Sequence, residues 1–193
     1  MKKILQLGDH LLERKSKHVK DIKSKRVQTV IADLISLCKA KEENSGGLAA
    51  PQISEDLRLF VARRLDLEDE YQKKGRKIVS ELGEMLWEVF INPKIVKKGE
   101  KLSTFWEGCL SVDNGKLFGP ITRPSTVQVE YTDQSGNQKL LAAYDYFAHV
   151  VQHELDHLNG YLFVKYIDNP ENLWKNADLD NYLRDHGDFP PEI

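Results

Sequence analysis

The chain has 193 residues with 28 Lys and Arg against 30 Asp and Glu, a formal net charge of −2. That length fits one domain rather than two, and the near-neutral balance argues against a dedicated DNA-binding module, whose surface would be strongly basic. Hydrophobic residues make up 40% of the chain, but no run reaches the ~18 apolar residues of a membrane span, and the apolar run near the start is too short for a signal sequence.

Residues 13–26 hold seven Lys and Arg against two acids and read as a solvated surface segment rather than an RNA contact. Over 27–41, Val27, Val30, Ile31, Leu34, Leu37 and Cys38 recur on one helical face. Cys38 is therefore expected as a small buried apolar residue, and the two cysteines, Cys38 and Cys109, as reduced thiols of a cytoplasmic protein. A small-residue stretch at 44–51 precedes a strand over 58–64 centred on Leu59, Phe60 and Val61. Residues 65–84 are highly charged and lack periodicity, which suggests an insertion.

A strand over 86–91 is expected to stop at Asn92-Pro93. Gly99-Glu100 reads as a hairpin turn between Ile95-Val96 and residues 102–106. Val127, Val129 and Tyr131 alternate with polar residues, and a turn at 134–137 leads into a strand over 139–143. Residues 147–158 form a helix stopped by Asn159-Gly160. Residues 161–164 look β-like, and Pro170 opens a last helix running to about residue 184. A helix, many short strands and then helices predict an α+β domain with antiparallel sheets.

The sharpest local signal is His153-Glu154-Leu155-Asp156-His157. Residues four apart share a helix face, so both imidazoles can reach one ion while Glu154 can reach a water on it. A catalytic metal needs a third protein ligand and an open position. Cys109, in Glu107-Gly108-Cys109-Leu110-Ser111, offers a thiolate suited to a borderline-soft divalent ion. His149 continues the histidine row, but positions 149 and 157 lie about 12 Å apart along a helix. The ligand pair is thus 149/153 or 153/157, and the place of Glu154 between 153 and 157 favours the latter. Asp156 is left as either an orienter of a ligand imidazole or a surface group.

Three motifs now stand in order: Gly46-Gly47-Leu48-Ala49-Ala50-Pro51-Gln52, Glu107-Gly108-Cys109-Leu110-Ser111, and Gln152-His153-Glu154-Leu155-Asp156-His157-Leu158-Asn159-Gly160. Together with Gly8-Asp9 and Ile91-Asn92-Pro93 they resemble the peptide deformylases through about residue 167. The resemblance implies an α+β fold, antiparallel sheets packed around the central His153–His157 helix, in one catalytic domain over 1–193, with 65–84 an insertion and 170–193 a C-terminal extension. It implies hydrolysis of the formyl group from N-terminal formyl-methionine of new polypeptides. The implied metal ligands are Cys109, His153 and His157, holding one divalent ion, Fe2+ in the cell with Zn2+ or Ni2+ as substitutes. Glu154 would be the general acid/base, with Gln52 and the Leu110 N–H stabilising the oxyanion. Gly46, Gly47, Glu107, Gly108 and Val150 would bind substrate, with Arg123 a candidate partner for Glu107. The implied partners are formylmethionyl nascent peptides, with ribosome contact and a cytoplasmic location, and no DNA or membrane.

The first motif departs from the family pattern. Ser45 stands where a first Gly is usual and Gly46 where an apolar residue lines the methionine pocket. His149 replaces an apolar residue or Arg, and Asp113-Asn114 replaces Pro-Gly. These departures predict a weaker or broader methionine preference, not a different reaction. Two rivals remain at this stage. One is an endopeptidase, which lacks a downstream third ligand. The other is a non-catalytic relative that binds peptide ends or RNA.

Overall fold

The structure is a computed structural model that describes residues 2–41, 45–64, 66–67 and 86–193. The insertion expected at 65–84 lies outside the described residues, except for 66 and 67. Among the described residues, two antiparallel sheets and three α-helices of eleven residues or more build the fold. Helix α1 (Lys25–Ala40) starts at Ser24, whose hydroxyl caps the Val27 N–H. Strands β1 (Gly47–Ala49), β2 (Leu59–Arg63), β3 (Trp87–Lys98), β6 (Thr126–Thr132) and β7 (Gln138–Tyr144) form the larger sheet in the order β1-β2-β3-β6-β7. Strands β4 (Leu102–Gly108), β5 (Leu117–Pro124) and β8 (Trp174–Lys175) form the smaller one. Helices α2 (Asp145–Asn159) and α3 (Asn176–His186) complete the fold. The α+β class with antiparallel sheets is thus as the sequence predicts.

The larger sheet is covered on both faces, which explains why β2 is a continuous apolar run rather than an alternating one. One face packs Leu48, Leu59, Val61 and Ile91 against Val30, Leu34 and Cys38 of α1. The other packs Phe60, Phe90 and Val129 against Phe147, Val151 and Leu158 of α2. Phe60 stacks on Phe90 with ring centroids 4.5 Å apart. Cys38 is fully buried, and both cysteines are free thiols. The basic segment of residues 13–26 is largely exposed, with Lys17 paired to Asp56 and, in the first turn of α1, Arg26 to Glu55.

Four expectations change. Strand β3 does not stop at Asn92-Pro93. Its register against β6 shifts between Ile91 and Lys94 and it continues to Lys98. Asn92 takes a positive φ of 53° there, and its side-chain amide exchanges two hydrogen bonds with the Val19 backbone. A bulge absorbs the proline's missing N–H. Gly99-Glu100 does not close a hairpin either, because β3 pairs with β6 while β4 pairs with β5 in the other sheet. Residues Phe163–Tyr166 form a 3-10 turn rather than a strand, since Leu162 and Phe163 are drawn into a small core with Leu12 and Cys109. Pro170 opens only a short turn, and α3 begins at Asn176 after β8 has paired with β5. The prolines of β5 hide it in the sequence, although it is the central strand of its sheet.

Candidate active site and metal centre

Three distant segments converge on one point. Cys109 follows directly on β4, His153 and His157 lie one turn apart on α2, and Gln52 sits in the 3-10 turn Ala50–Ile53 after β1. One donor atom each from Cys109, His153 and His157 lies within 4.8 Å of the others, and all three residues form one buried group. The Cys109 Sγ is 3.3 Å from His157 Nε2. The two imidazole centroids stand 4.9 Å apart with their planes 84° from each other.

The polar groups behind the donors fix their orientation. His153 Nδ1 donates to Glu107 Oε2 at 2.9 Å, which leaves its Nε2 for a ligand role. Glu107 is in turn gripped by Arg123, with Nε donating to Oε1 at 2.6 Å and Nη2 to Oε2 at 3.0 Å. Asp156 accepts from Arg123 Nη1 at 2.8 Å, so it orients the arginine, neither touching an imidazole nor standing free. Burial alone would raise the Glu107 carboxyl, but hydrogen bonds from His149, His153 and Arg123 hold it far below the ordinary carboxylate range. Burial likewise disfavours charge on His153, but hydrogen bonds and charge from Cys109 and Glu107 outweigh it and raise its pKa, so a metal binding there would displace a proton. Burial and the neighbouring His153 push His157 the other way, toward the neutral form a ligand needs.

Glu154 is 4% exposed, and its Oε2 has no hydrogen-bond partner. Burial pushes its carboxyl up to about 8 against the pull of His153. Its side chain rests on Gly47, where a Cβ would come within 2.7 Å of Oε1. A buried, unpartnered carboxylate oxygen beside a thiol and two imidazoles fits a cation with its water, because each group alone would be costly to bury. The Gln52 amide is aimed by both ends: Oε1 accepts the Ala49 N–H at 2.8 Å, while Nε2 faces Ser111 Oγ at 3.1 Å and Cys109 Sγ at 3.6 Å. Among the described residues no acceptor takes the Leu110 N–H.

A cleft of about 380 Å³ opens beside this cluster and is lined in part by Gly46, Gly47, Glu107, Gly108 and Val150. That volume suits a small ligand or peptide end. His149 also lines it, but it is not among the clustered donors. Its Nδ1 lies 3.3 Å from Glu107 and its Nε2 3.1 Å from Ser103 Oγ, with its ring edge-on to Phe105. Sequence reasoning missed Tyr146, Trp106 and Phe118 on the same walls, and Ser111 as the partner of Gln52. Tyr146 stands one helical turn before Val150, a spacing that could have placed it on the same face.

A buried thiol and two imidazoles around an unpartnered glutamate, beside a peptide-sized cleft in an α+β fold, define the class of metal-dependent hydrolases. Comparisons narrow the class. The sequence model described as Polypeptide deformylase matches residues 1–173. A protein named peptide deformylase 2 from Nostoc sp. is 35% identical over 161 residues, covering 83% of each chain. The peptide deformylase of Borreliella burgdorferi is 33% identical over 177 residues, 92% of each. Among solved structures, a Synechococcus elongatus peptide deformylase in complex with actinonin is similar at a TM-score of 0.70 and 30% identity, over 96% of this chain and 86% of that one. The Ehrlichia chaffeensis enzyme reaches 0.72 at 28% identity over 97% of each. The chain belongs to the polypeptide deformylase family. It is a metal-dependent hydrolase that removes the N-terminal formyl group from nascent peptides. Among the described residues no helix is long and apolar enough to cross a membrane.

Proposed function

We propose that Cys109, His153 and His157 hold the family's divalent ion, that Glu154 moves the proton, and that Gln52 with the Leu110 N–H receives the developing oxyanion. The observation that carries this reading is the three-donor cluster within 4.8 Å beside the unpartnered Glu154 oxygen. Following the family resemblance, the ion is Fe2+ in the cell, with Zn2+ or Ni2+ able to replace it. The 193 residues act as one catalytic domain, with 65–84 an insertion and 170–193 an extension. The enzyme works in the cytoplasm on formylmethionyl chains close to the ribosome.

Formamide carbonyls are unreactive and water is a weak nucleophile; a divalent ion at this site supplies Lewis acidity and lowers the pKa of water towards ~7. An ion held beside Glu154 would offset the burial that raises its carboxyl. The ionised group then accepts a proton from the attacking water as the new C–O bond forms and delivers it to the amide nitrogen as the C–N bond breaks. Formate and a free amine result. The negative charge on the former carbonyl oxygen meets the Gln52 Nε2–H and the Leu110 N–H. Glu107 and Arg123 keep His153 in the tautomer that exposes Nε2. Strand β1 has β2 on one side and no described strand on the other, so an extended peptide can add to it by backbone hydrogen bonds. Gly47 leaves room for Glu154 against that edge. Gly46 leaves space that Val150 Cγ2 partly fills, 3.1 Å from where a Cβ would stand, and this altered wall goes with a relaxed methionine preference.

The test is formate release from a formyl-Met-Ala peptide by protein purified anaerobically with iron. Turnover is expected with the formylated peptide and no peptide-bond cleavage of its unformylated form. Metal-loaded protein that releases no formate would favour the peptide-binding reading.

A further inference from the structure

The family match ends at residue 173, yet the chain beyond it turns back onto the cleft. Trp174 pairs with Phe118 at the end of the smaller sheet. Helix α3 ends at Gly187 with a left-handed φ of 75°, which redirects the tail. Pro190 is buried. The last residue is clamped: Ile193 N–H donates to Asn172 Oδ1 at 2.9 Å, and Asn172 Nδ2 donates to the Ile193 carbonyl at 3.2 Å. Between these anchors Phe189 stacks on Trp106, with ring centroids 5.7 Å apart and planes 12° from parallel. Trp174 meets the same indole edge-on at 6.4 Å. Trp106 and Phe118 both line the catalytic cleft.

Trp106 precedes Cys109 by three residues, about 10 Å at the rise of a strand. An extended peptide with its formyl carbon at the donor cluster covers the same distance at its third residue. Phe189 remains 47% exposed, so the ring pair still has apolar surface to cover.

We propose that the C-terminal segment is a working wall of the substrate cleft: Phe189, stacked on Trp106, positions that indole to pack against the third residue of the formylated chain and favours an apolar or aromatic side chain there. Phe189 acts through Trp106 and is a positioning residue. The proposal rests on the deformylation reading and adds a preference downstream of the methionine.

The experiment compares KM and kcat of the full chain on formyl-Met-Ala-Phe and formyl-Met-Ala-Ala. The wild type is expected to show a KM about 2–10-fold lower for the aromatic peptide, the size of one aromatic contact. Phe189→Ala and Trp106→Leu should each remove most of that difference, and Phe189→Tyr should keep it. Equal KM values in the wild type would overturn the proposal whether or not the variants fold. So would a Phe189→Ala protein that loses kcat/KM to the same extent on both peptides. Formate from neither peptide would overturn the deformylation reading itself.

Discussion

The donor cluster and the outer wall of the cleft both draw on β4, the residue after it and α2, but under different rules. At the cluster end, Glu107, Cys109, His153, Glu154 and His157 are buried or nearly so. Almost every polar atom is held: Arg123 grips Glu107, Glu107 grips His153, and Ser111 lies within reach of Gln52. The exceptions are Glu154 Oε2 and His157 Nδ1, both at the chemical centre. At the wall end, Tyr146 and His149 pack edge-on against Phe105 while Trp106 stacks on Phe189, and Gly46 and Val150 simply trade volume. Ligation and proton transfer admit few residue types, whereas a wall needs only a shape.

If the comparison is right, substitutions at the cluster should be drastic and those at the wall graded. Glu154→Ala should lower kcat by about 10²–10⁴-fold, the span of a lost general acid/base, with metal content by elemental analysis unchanged. Comparable activity would move the proton-transfer role elsewhere. Arg123→Ala leaves Glu107 buried without its cation and should cost about 3–5 kcal/mol in urea unfolding at pH 7. Because the folded Glu107 carboxyl is held below its ordinary value of 4.5, its contribution is present above that pH and is lost as the pH falls towards the folded value. The stability gap between wild type and Arg123→Ala should therefore narrow on acidification, and a constant gap would contradict the pairing. Gln52→Ala should lower kcat by about 10²–10³-fold with a smaller change in KM. At the wall, kcat/KM for formyl-Met over formyl-norleucine peptides should stay within about tenfold, since hydrophobic pockets discriminate weakly between similar side chains. His149→Leu should sharpen that ratio, and a strict methionine preference in the wild type would remove any role for Gly46 and His149 in relaxing it.

The same contrast explains what could be read from the sequence. The helix of residues 147–158 and the strand around Val129 showed a clear period, and their apolar faces pack on the core; the strand over 139–143 was placed by the turn that precedes it. The three donors could be named from the sequence through the ordered motifs shared with the family, and the fold brings them within 4.8 Å of one another. Strand β3 was cut short because a proline signal cannot reveal the bulge at Asn92 that accommodates it. The Gly99-Glu100 bend was visible, but not which sheet the next strand would join, because pairing depends on residues far along the chain. Strand β5, with Pro120 and Pro124, lacked a strand pattern altogether. Arg123 could be proposed as the partner of Glu107, but its second bond to Asp156 required the folded helix. Nothing local announced that Phe189, 83 positions away, would stack on Trp106.

The central claim is that one thiolate and two imidazoles share a single ion. X-ray absorption at the zinc edge of fully zinc-loaded protein tests it most directly. The account predicts one sulfur at about 2.3 Å and two imidazole nitrogens at about 2.0–2.1 Å, with the sulfur shell lost in Cys109→Ser. A wild-type spectrum with no sulfur in the first coordination shell would contradict it.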